Sequence, residues 1–195
     1  MGMATAVILA GGQSTRMGRD KLTLPLEGEA LLQRALRRYR AVFPRVLVSV
    51  ADMDKYPALG DARVADRYPG AGPMAGLHAA LLAAGDDVFL TAADMPFSDP
   101  AAAMRVAALC GRHAACVLTD GEGRWEPLFG FYRQAALPQA EALLASGRRS
   151  MAALLERVPV RALTAADLGD LWEPRLLLNV NNPADYEKLR LELGE

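Results

Sequence analysis

The segment Ala6-Val7-Ile8-Leu9-Ala10-Gly11-Gly12-Gln13-Ser14-Thr15-Arg16-Met17-Gly18-Arg19-Asp20-Lys21 holds the residue types best suited to chemistry. An apolar run of strand length stops at two glycines, and a polar loop then delivers Arg16 and Lys21. Glycines let main-chain N–H groups approach an anion closely, and flanking cations neutralise it. Holding the phosphates of a nucleotide calls for that combination. The alternative is a tight strand-to-helix turn with solvated cations; loop and cations arriving together at a strand end favour the phosphate site. Two commoner phosphate motifs are excluded by spacing. Gly18 leads into Arg19-Asp20-Lys21-Leu22 rather than Gly-Lys-Ser/Thr, and Gly11-Gly12 lacks the intervening residue of Gly-x-Gly-x-x-Gly.

Further candidates follow other apolar runs. Asp94 comes directly after Val88-Phe89-Leu90-Thr91-Ala92-Ala93, and a carboxylate at a strand's carboxyl end suits Mg²⁺ on a triphosphate. Its other use would be to cap the helix beginning at Pro100, but Asp99 is better placed for that, which frees Asp94. Asp66 precedes Pro69-Gly70-Ala71-Gly72-Pro73-Met74-Ala75-Gly76, a loop that either walls a base and ribose or simply connects elements. Glu126 beside Trp125, the pair Arg148-Arg149, and the amides of Asn179, Asn181 and Asn182 could line the second half of a cleft. Each of these also has a plain structural use: edge pairing, a solvated basic turn, or a helix cap.

The elements that must position these residues alternate between strand and helix. Strands are expected near Thr5–Ala10, Arg45–Val50, Asp87–Ala92, Ala114–Leu118 and Leu176–Asn179, with others at Ala62–Ala65 and Leu128–Tyr132. Helical patterns run from Ala30 to Phe43, Met74 to Ala84, Pro100 to Cys110, Gln134 to Ala145, Met151 to Arg157 and Pro183 to Leu193, the last with Asn182 as N-cap. The turn-rich stretch Pro159 to Pro174 reads as a flap over the sheet. Continuous apolar strands alternating with helices predict an α/β fold in three layers, Rossmann-like, with a mostly parallel sheet and helices on both faces. With 195 residues and no linker or repeat, one domain (1–195) is expected.

Composition removes several classes of function. A net charge of −1 provides no global field to recruit nucleic acid or a membrane surface, and neither is expected as a partner. Arg34, Arg37, Arg38 and Arg40 recur at helical spacing and read as a solvated helix face. Cys110 and Cys116 are too few and badly spaced for a disulfide framework or zinc site, and His78 and His113 lack a second ligand at metal spacing. No membrane span or signal peptide is expected, and a cytoplasmic location fits.

In the same order along nearly the whole chain, several blocks resemble the molybdenum cofactor guanylyltransferases, the MobA family of the nucleotidyltransferase superfamily. They are Leu9-Ala10-Gly11-Gly12, Arg16-Met17-Gly18, Asp20-Lys21, Asp66, Gly72-Pro73-Met74-Ala75-Gly76, Asp94-Met95-Pro96-Phe97, Glu126-Pro127-Leu128 and Asn179-Val180-Asn181. The resemblance implies a nucleotidyltransferase fold and Mg²⁺-dependent transfer of GMP from GTP to the phosphate of molybdopterin, releasing pyrophosphate. It implies that Leu9, Ala10, Gly11 and Gly12 contact the nucleotide, that Lys21 binds its phosphates, that Asp66 joins the nucleotide site, and that Asp94 holds the metal. Asn179 and Asn181 would sit toward the pterin. The nucleotide half would span about 1–100 and the acceptor half about 101–195, with molybdoenzymes or cofactor-handling proteins as further partners. Lys21, Arg16 and the Asp94-bound metal suit the charge that develops in phosphoryl transfer, and the acceptor phosphate needs no base. The chain departs from the family at Ser49, where an asparagine is frequent. Cytidylyl transfer, or transfer to another small phosphate, is the alternative within the superfamily, and a non-enzymatic cofactor carrier is the alternative outside it.

Overall fold

A computed structural model of the chain describes residues 5–11, 20–120 and 122–195. In chain order these form β1 (Thr5–Leu9), a short ribbon of β2 (Pro25–Leu26) and β3 (Glu29–Ala30), α1 (Leu31–Arg40), β4 (Val46–Val50), β5 (Arg63–Ala65), α2 (Pro73–Ala84) and β6 (Val88–Ala92). There follow α3 (Pro100–Leu109), β7 (Ala115–Thr119), β8 (Trp125–Tyr132), α4 (Leu137–Ala145), α5 (Met151–Leu155), β9 (Val160–Leu163), α6 (Ala165–Leu168) and α7 (Pro183–Glu192). Seven strands make one sheet in the order β5-β4-β1-β6-β8-β7-β9. β5, β4, β1 and β6 are mutually parallel, as are β7 and β9, while β8 runs antiparallel to both its neighbours.

The strands alternate their apolar residues between two covered faces, which is why they read as unbroken hydrophobic runs. Ala6, Ile8, Val48 and Phe89 pack with Leu36 and Tyr39 of α1 and with Val106 of α3. Val7, Leu47, Leu90 and Val117 pack on the opposite face with Leu77 of α2, Leu143 of α4 and Leu154 of α5. The three-layer α/β arrangement is the one expected from sequence.

Two expected elements differ. Leu176–Asn179 is not a strand. The place beside β6 is taken by β8, and the segment instead closes local turns, with Leu176 N–H donating to Glu173 O (2.9 Å) and Leu178 N–H to Arg175 O (2.9 Å). The expected flap contains β9, which pairs with β7 from Ala115↔Val160 to Leu118↔Leu163. Pro183 opens α7 as predicted, with Asn182 Oδ1 accepting from Asp185 N–H and Asp185 reaching back in a capping box. A satellite core of Leu24, Leu26, Leu31, Val180, Tyr186 and Leu189 binds this last helix to the β2–β3 ribbon.

Packing is close where β8 is wedged between β6 and β7. A Cβ on Gly130 would lie 2.8 Å from Val117 Cγ1 and 3.3 Å from the Cys116 carbonyl oxygen, a backbone atom that cannot swing aside. Gly130→Ala is therefore expected to destabilise the fold by about 1–3 kcal/mol through overpacking, measured as a lower urea midpoint with an unchanged m-value.

Candidate active site at the carboxyl ends of the parallel strands

Parallel strands deliver their carboxyl ends to one edge of the sheet, and the loops there form a crevice. β1 runs out into Gly11, β4 into Ala51, β5 into Asp66 and β6 toward Asp94, and all four residues line one cleft. Lys21, Leu22, Gly70, Gly72, Pro73 and Leu128 complete its walls. Its volume is about 200 Å³; a single water needs about 10–15 Å³ of such space, so it has room for a molecule rather than an ion alone.

Leu9, Gly11, Lys21, Asp66 and Asp94 from the sequence reading thus share one cavity. Ala10 adjoins it but is buried, its N–H donating to Ser49 O (2.8 Å), while Leu9 O accepts from Ala93 N–H (3.0 Å). Gly12 and Arg16 lie outside the described residues. Asn179 is half-buried with its amide donating to Leu177 O (3.0 Å), and Asn181 is exposed. Neither lines the cleft, but Val180 between them is fixed to it.

That fixing involves Lys21 and Asp94. The Lys21 ammonium lies 2.5 Å from Asp94 Oδ2 and donates also to Val180 O (3.1 Å), while Val180 N–H donates to the Asp94 carbonyl (2.9 Å). Only 15% of the Lys21 side chain and 18% of Asp94 are exposed. Asp94 is available for this contact because Asp99 caps α3, its Oδ1 accepting from Ala101 and Ala102 N–H. The loop between them is gripped from α1: Arg34 Nε and Arg38 Nη1 both donate to Pro96 O, and Arg38 pairs with Asp99 at 3.1 Å. The arginine face expected to be solvated is in part a clamp on the Asp94 loop. Beneath it, Ser98 joins Thr91 (2.9 Å) and Tyr39 (2.5 Å) in a buried hydroxyl chain, and burial pushes the Tyr39 phenol up to about 12.

The opposite wall is built around Asp66. Its N–H donates to Val50 O (3.2 Å) and its Oδ1 accepts from the buried Ser49 hydroxyl (3.1 Å). Burial raises the Asp66 carboxyl above its ordinary range, and the Ser49 hydrogen bond opposes that only in part. Ser49, the departure noted in sequence, therefore holds a carboxylate at the cleft floor. α2 makes space for it: a Cβ on Gly76 would fall 2.6 Å from Ser49 Oγ and 2.5 Å from Leu9 Cδ2. Gly72, at φ +69°, turns the chain into Pro73 at the first position of α2, so the positive end of that helix faces the cleft. Arg149 Nη1 donates to Gly70 O (3.2 Å) and so braces this glycine loop.

Glu126, expected beside a strand and as one of the residues lining the second half of a cleft, lies in β8 (Trp125–Tyr132). The β7–β8 register slips between Val117 and Leu118, where Pro127 to Phe129 bulge out of the ladder. The bulge brings Leu128 to the cleft, and its N–H donates to Glu126 Oε1 (3.3 Å). Burial, with a smaller contribution from Asp94's charge, raises the Glu126 carboxyl above the usual range. Pro127 within the run is a local signal compatible with a bulge, but which residues the bulge sends to the cleft depends on pairing across strands.

Donors suited to a hard cation are oxygens, and Asp94 offers one carboxylate on the cleft wall. No group of three or more potential metal-ligating side chains occurs among the described residues. That suits a cation sharing its coordination sphere with phosphate oxygens and water. No helix among the described residues is long and apolar enough to cross a membrane.

The chain is similar to known proteins in sequence and in fold. Residues 6–162 match the family model described as the MobA-like NTP transferase domain. A curated relative from Carboxydothermus hydrogenoformans, named probable molybdenum cofactor guanylyltransferase, is 36% identical over 187 residues, covering 95% of this chain and 94% of its own. One from Rhizobium johnstonii, named molybdenum cofactor guanylyltransferase, is 37% identical over 150 residues, 73% of this chain and 69% of its own. The crystal structure of molybdopterin-guanine dinucleotide biosynthesis protein A from Archaeoglobus fulgidus shares the fold with a TM-score of 0.83 at 24% identity, covering 97% of this chain and 98% of that one. The matched span takes in Lys21, Asp66 and Asp94 together with the strands that present them, and the chain belongs to the MobA-like NTP transferase family.

Proposed function

We propose that this protein transfers GMP from GTP to the terminal phosphate of molybdopterin, forming the guanine dinucleotide cofactor and releasing pyrophosphate. The observation that carries the reading is the joint placement of Lys21, Asp66 and Asp94 around one cleft at the carboxyl ends of parallel strands, in a chain whose relatives are named molybdenum cofactor guanylyltransferases.

In this reading the chain acts as one domain. Its first half, about 1–100, holds the nucleotide, and its second half, about 101–195, holds the acceptor. The backbone at Leu9, Ala10 and Gly11 and the glycines at 70 and 72 wall the base and ribose, with Asp66 accepting hydrogen bonds from them. Lys21 meets the triphosphate; Gly12 and Arg16, outside the described residues, are assigned to the nucleotide by the family resemblance alone. Asp94 is the residue that would hold Mg²⁺, which when bound neutralises charge on the α-phosphate and the departing pyrophosphate. Asn179 and Asn181 flank Val180 and extend the wall toward the pterin. An acceptor phosphate oxygen attacks the α-phosphorus, the new P–O bond forms, and the bond to pyrophosphate breaks. The attacking oxygen is already anionic, so the protein's task is to align two anions and offset their charge. Lys21 would serve that task with the ammonium it holds between Asp94 and the Val180 carbonyl at the cleft wall.

Two variants test the assignments. Asp94→Ala should lower pyrophosphate release from GTP and molybdopterin by roughly 10²–10³-fold while circular dichroism still shows a folded α/β protein; near-normal turnover would remove Asp94 from the chemistry. In calorimetric titrations with GTP, CTP and ATP, selective GTP binding is expected, and a preference for CTP would make the enzyme a cytidylyltransferase. Asp66→Asn separates binding from stability. Because the folded-state pKa of Asp66 is raised, burying its charge costs nothing well below the carboxylate range and costs most once pH has risen through it. The Asn variant should melt higher at neutral pH than the wild type, and the gain should vanish as pH falls below the ordinary carboxylate range. GTP affinity should meanwhile fall roughly ten- to a hundredfold.

A further inference from the structure

Tyr56 lies on the connection between β4 and β5 and does not line the cleft, yet its backbone is held at φ +51°, a region that bulky residues rarely adopt. What the conformation secures is a reach across to Asp20: the Tyr56 hydroxyl donates to Asp20 Oδ2 at 2.5 Å. The other carboxylate oxygen has a separate task. Asp20 Oδ1 accepts from Leu22 N–H (3.1 Å), and Asp20 O accepts from Thr23 N–H (3.1 Å) and Thr23 Oγ1 (2.7 Å), which together shape the single turn Lys21–Thr23. From this turn Lys21 extends to Asp94 and to the Val180 carbonyl. One carboxylate thus does two jobs, with Oδ1 forming the turn and Oδ2 tying it to the segment that follows Ala51. That connection leads into β5, and Asp66 directly follows the strand.

We propose that Tyr56 is a positioning residue for the transfer step, which through Asp20 fixes the Lys21 turn relative to the Ala51–Asp66 wall and so sets where the Lys21 ammonium meets the phosphates. The proposal rests on the reading that Lys21 faces the triphosphate. Tyr56→Phe deletes one oxygen, keeps the ring, and leaves the turn its Asp20 cap. A purely structural Tyr56 would affect melting temperature and leave catalysis alone; a positioning Tyr56 would do the reverse.

The test uses the full chain as wild type, Tyr56→Phe, Lys21→Ala and the double variant, assayed by pyrophosphate release from GTP with molybdopterin and Mg²⁺. Tyr56→Phe is expected to lower kcat roughly 5- to 20-fold, a misplaced-cation effect, with the KM for GTP changed less than about threefold because bulk binding contacts remain. In the Lys21→Ala background the same substitution should change kcat hardly at all, since the hydroxyl acts through a side chain already gone. A second readout needs no turnover. The chain has lysines only at 21, 55 and 188, so ¹³Cε-lysine NMR resolves Lys21 by its loss in Lys21→Ala, and that resonance should move in Tyr56→Phe. An unmoved Lys21 resonance, an unaltered kcat, or an effect of full size in the Lys21→Ala background overturns the proposal. Failure of the wild type to release pyrophosphate would instead sink the transfer reading, and the Lys21 resonance alone would then decide whether Tyr56 holds the ammonium in place.

Discussion

Lys21, Asp94 and Val180 form a closed triangle in which each residue is bonded to the other two. Two of its sides end on the Lys21 ammonium, and the third is a main-chain hydrogen bond. A part-buried ion pair contributes little net stability, because desolvating both charges offsets most of their attraction. What it imposes is geometry. The turn after the first glycine loop, the end of β6 and a segment that follows every strand of the sheet must all arrive at one point. Separate devices bring each of them there. Asp20 shapes the Lys21 turn, Arg34, Arg38 and Ser98 restrain the Asp94 loop, and the satellite core seats Val180 against Leu26 and Tyr186.

The cleft holds its two carboxylates in different ways. Asp94 has a cation against it, whereas among the described residues Asp66 is met by the Ser49 hydroxyl and has a raised pKa. A site that must accept a polyanion gains from this difference. One carboxylate has its charge offset by the Lys21 ammonium, and the other sits where burial makes its charge costly. Gly76 is part of the same arrangement, since any side chain there would displace Ser49 and with it the partner of Asp66.

Much of this was legible in the residues because the physics is local. Strands covered on both faces carry unbroken apolar runs, Asn182-Pro183 and Asp99-Pro100 announce helix starts, and Asp94 could be told from a cap because Asp99 stood closer to the helix. What escaped notice depends on contacts between distant segments. Leu176–Asn179 has the composition of a strand, but β8 fills the place beside β6. Helical spacing puts Arg34 and Arg38 on one face without saying that Pro96 will meet them. Pro127 hints at the β8 bulge without saying that it carries Leu128 into the cleft, and the hydroxyl that Tyr56 extends to Asp20 has no local signature.

The position of Val180 in the chain separates what makes the sheet from what makes the site. The sheet's last pairing joins Leu163 to Leu118, and both Lys21 and Asp94 precede it in the chain. Val180 comes after every strand and, seated by α7, returns a carbonyl to the Lys21 ammonium. The residues of the layered sheet and the last corner of the triangle therefore belong to different stretches of sequence, and substitutions after β9 can alter the cleft while leaving every strand untouched.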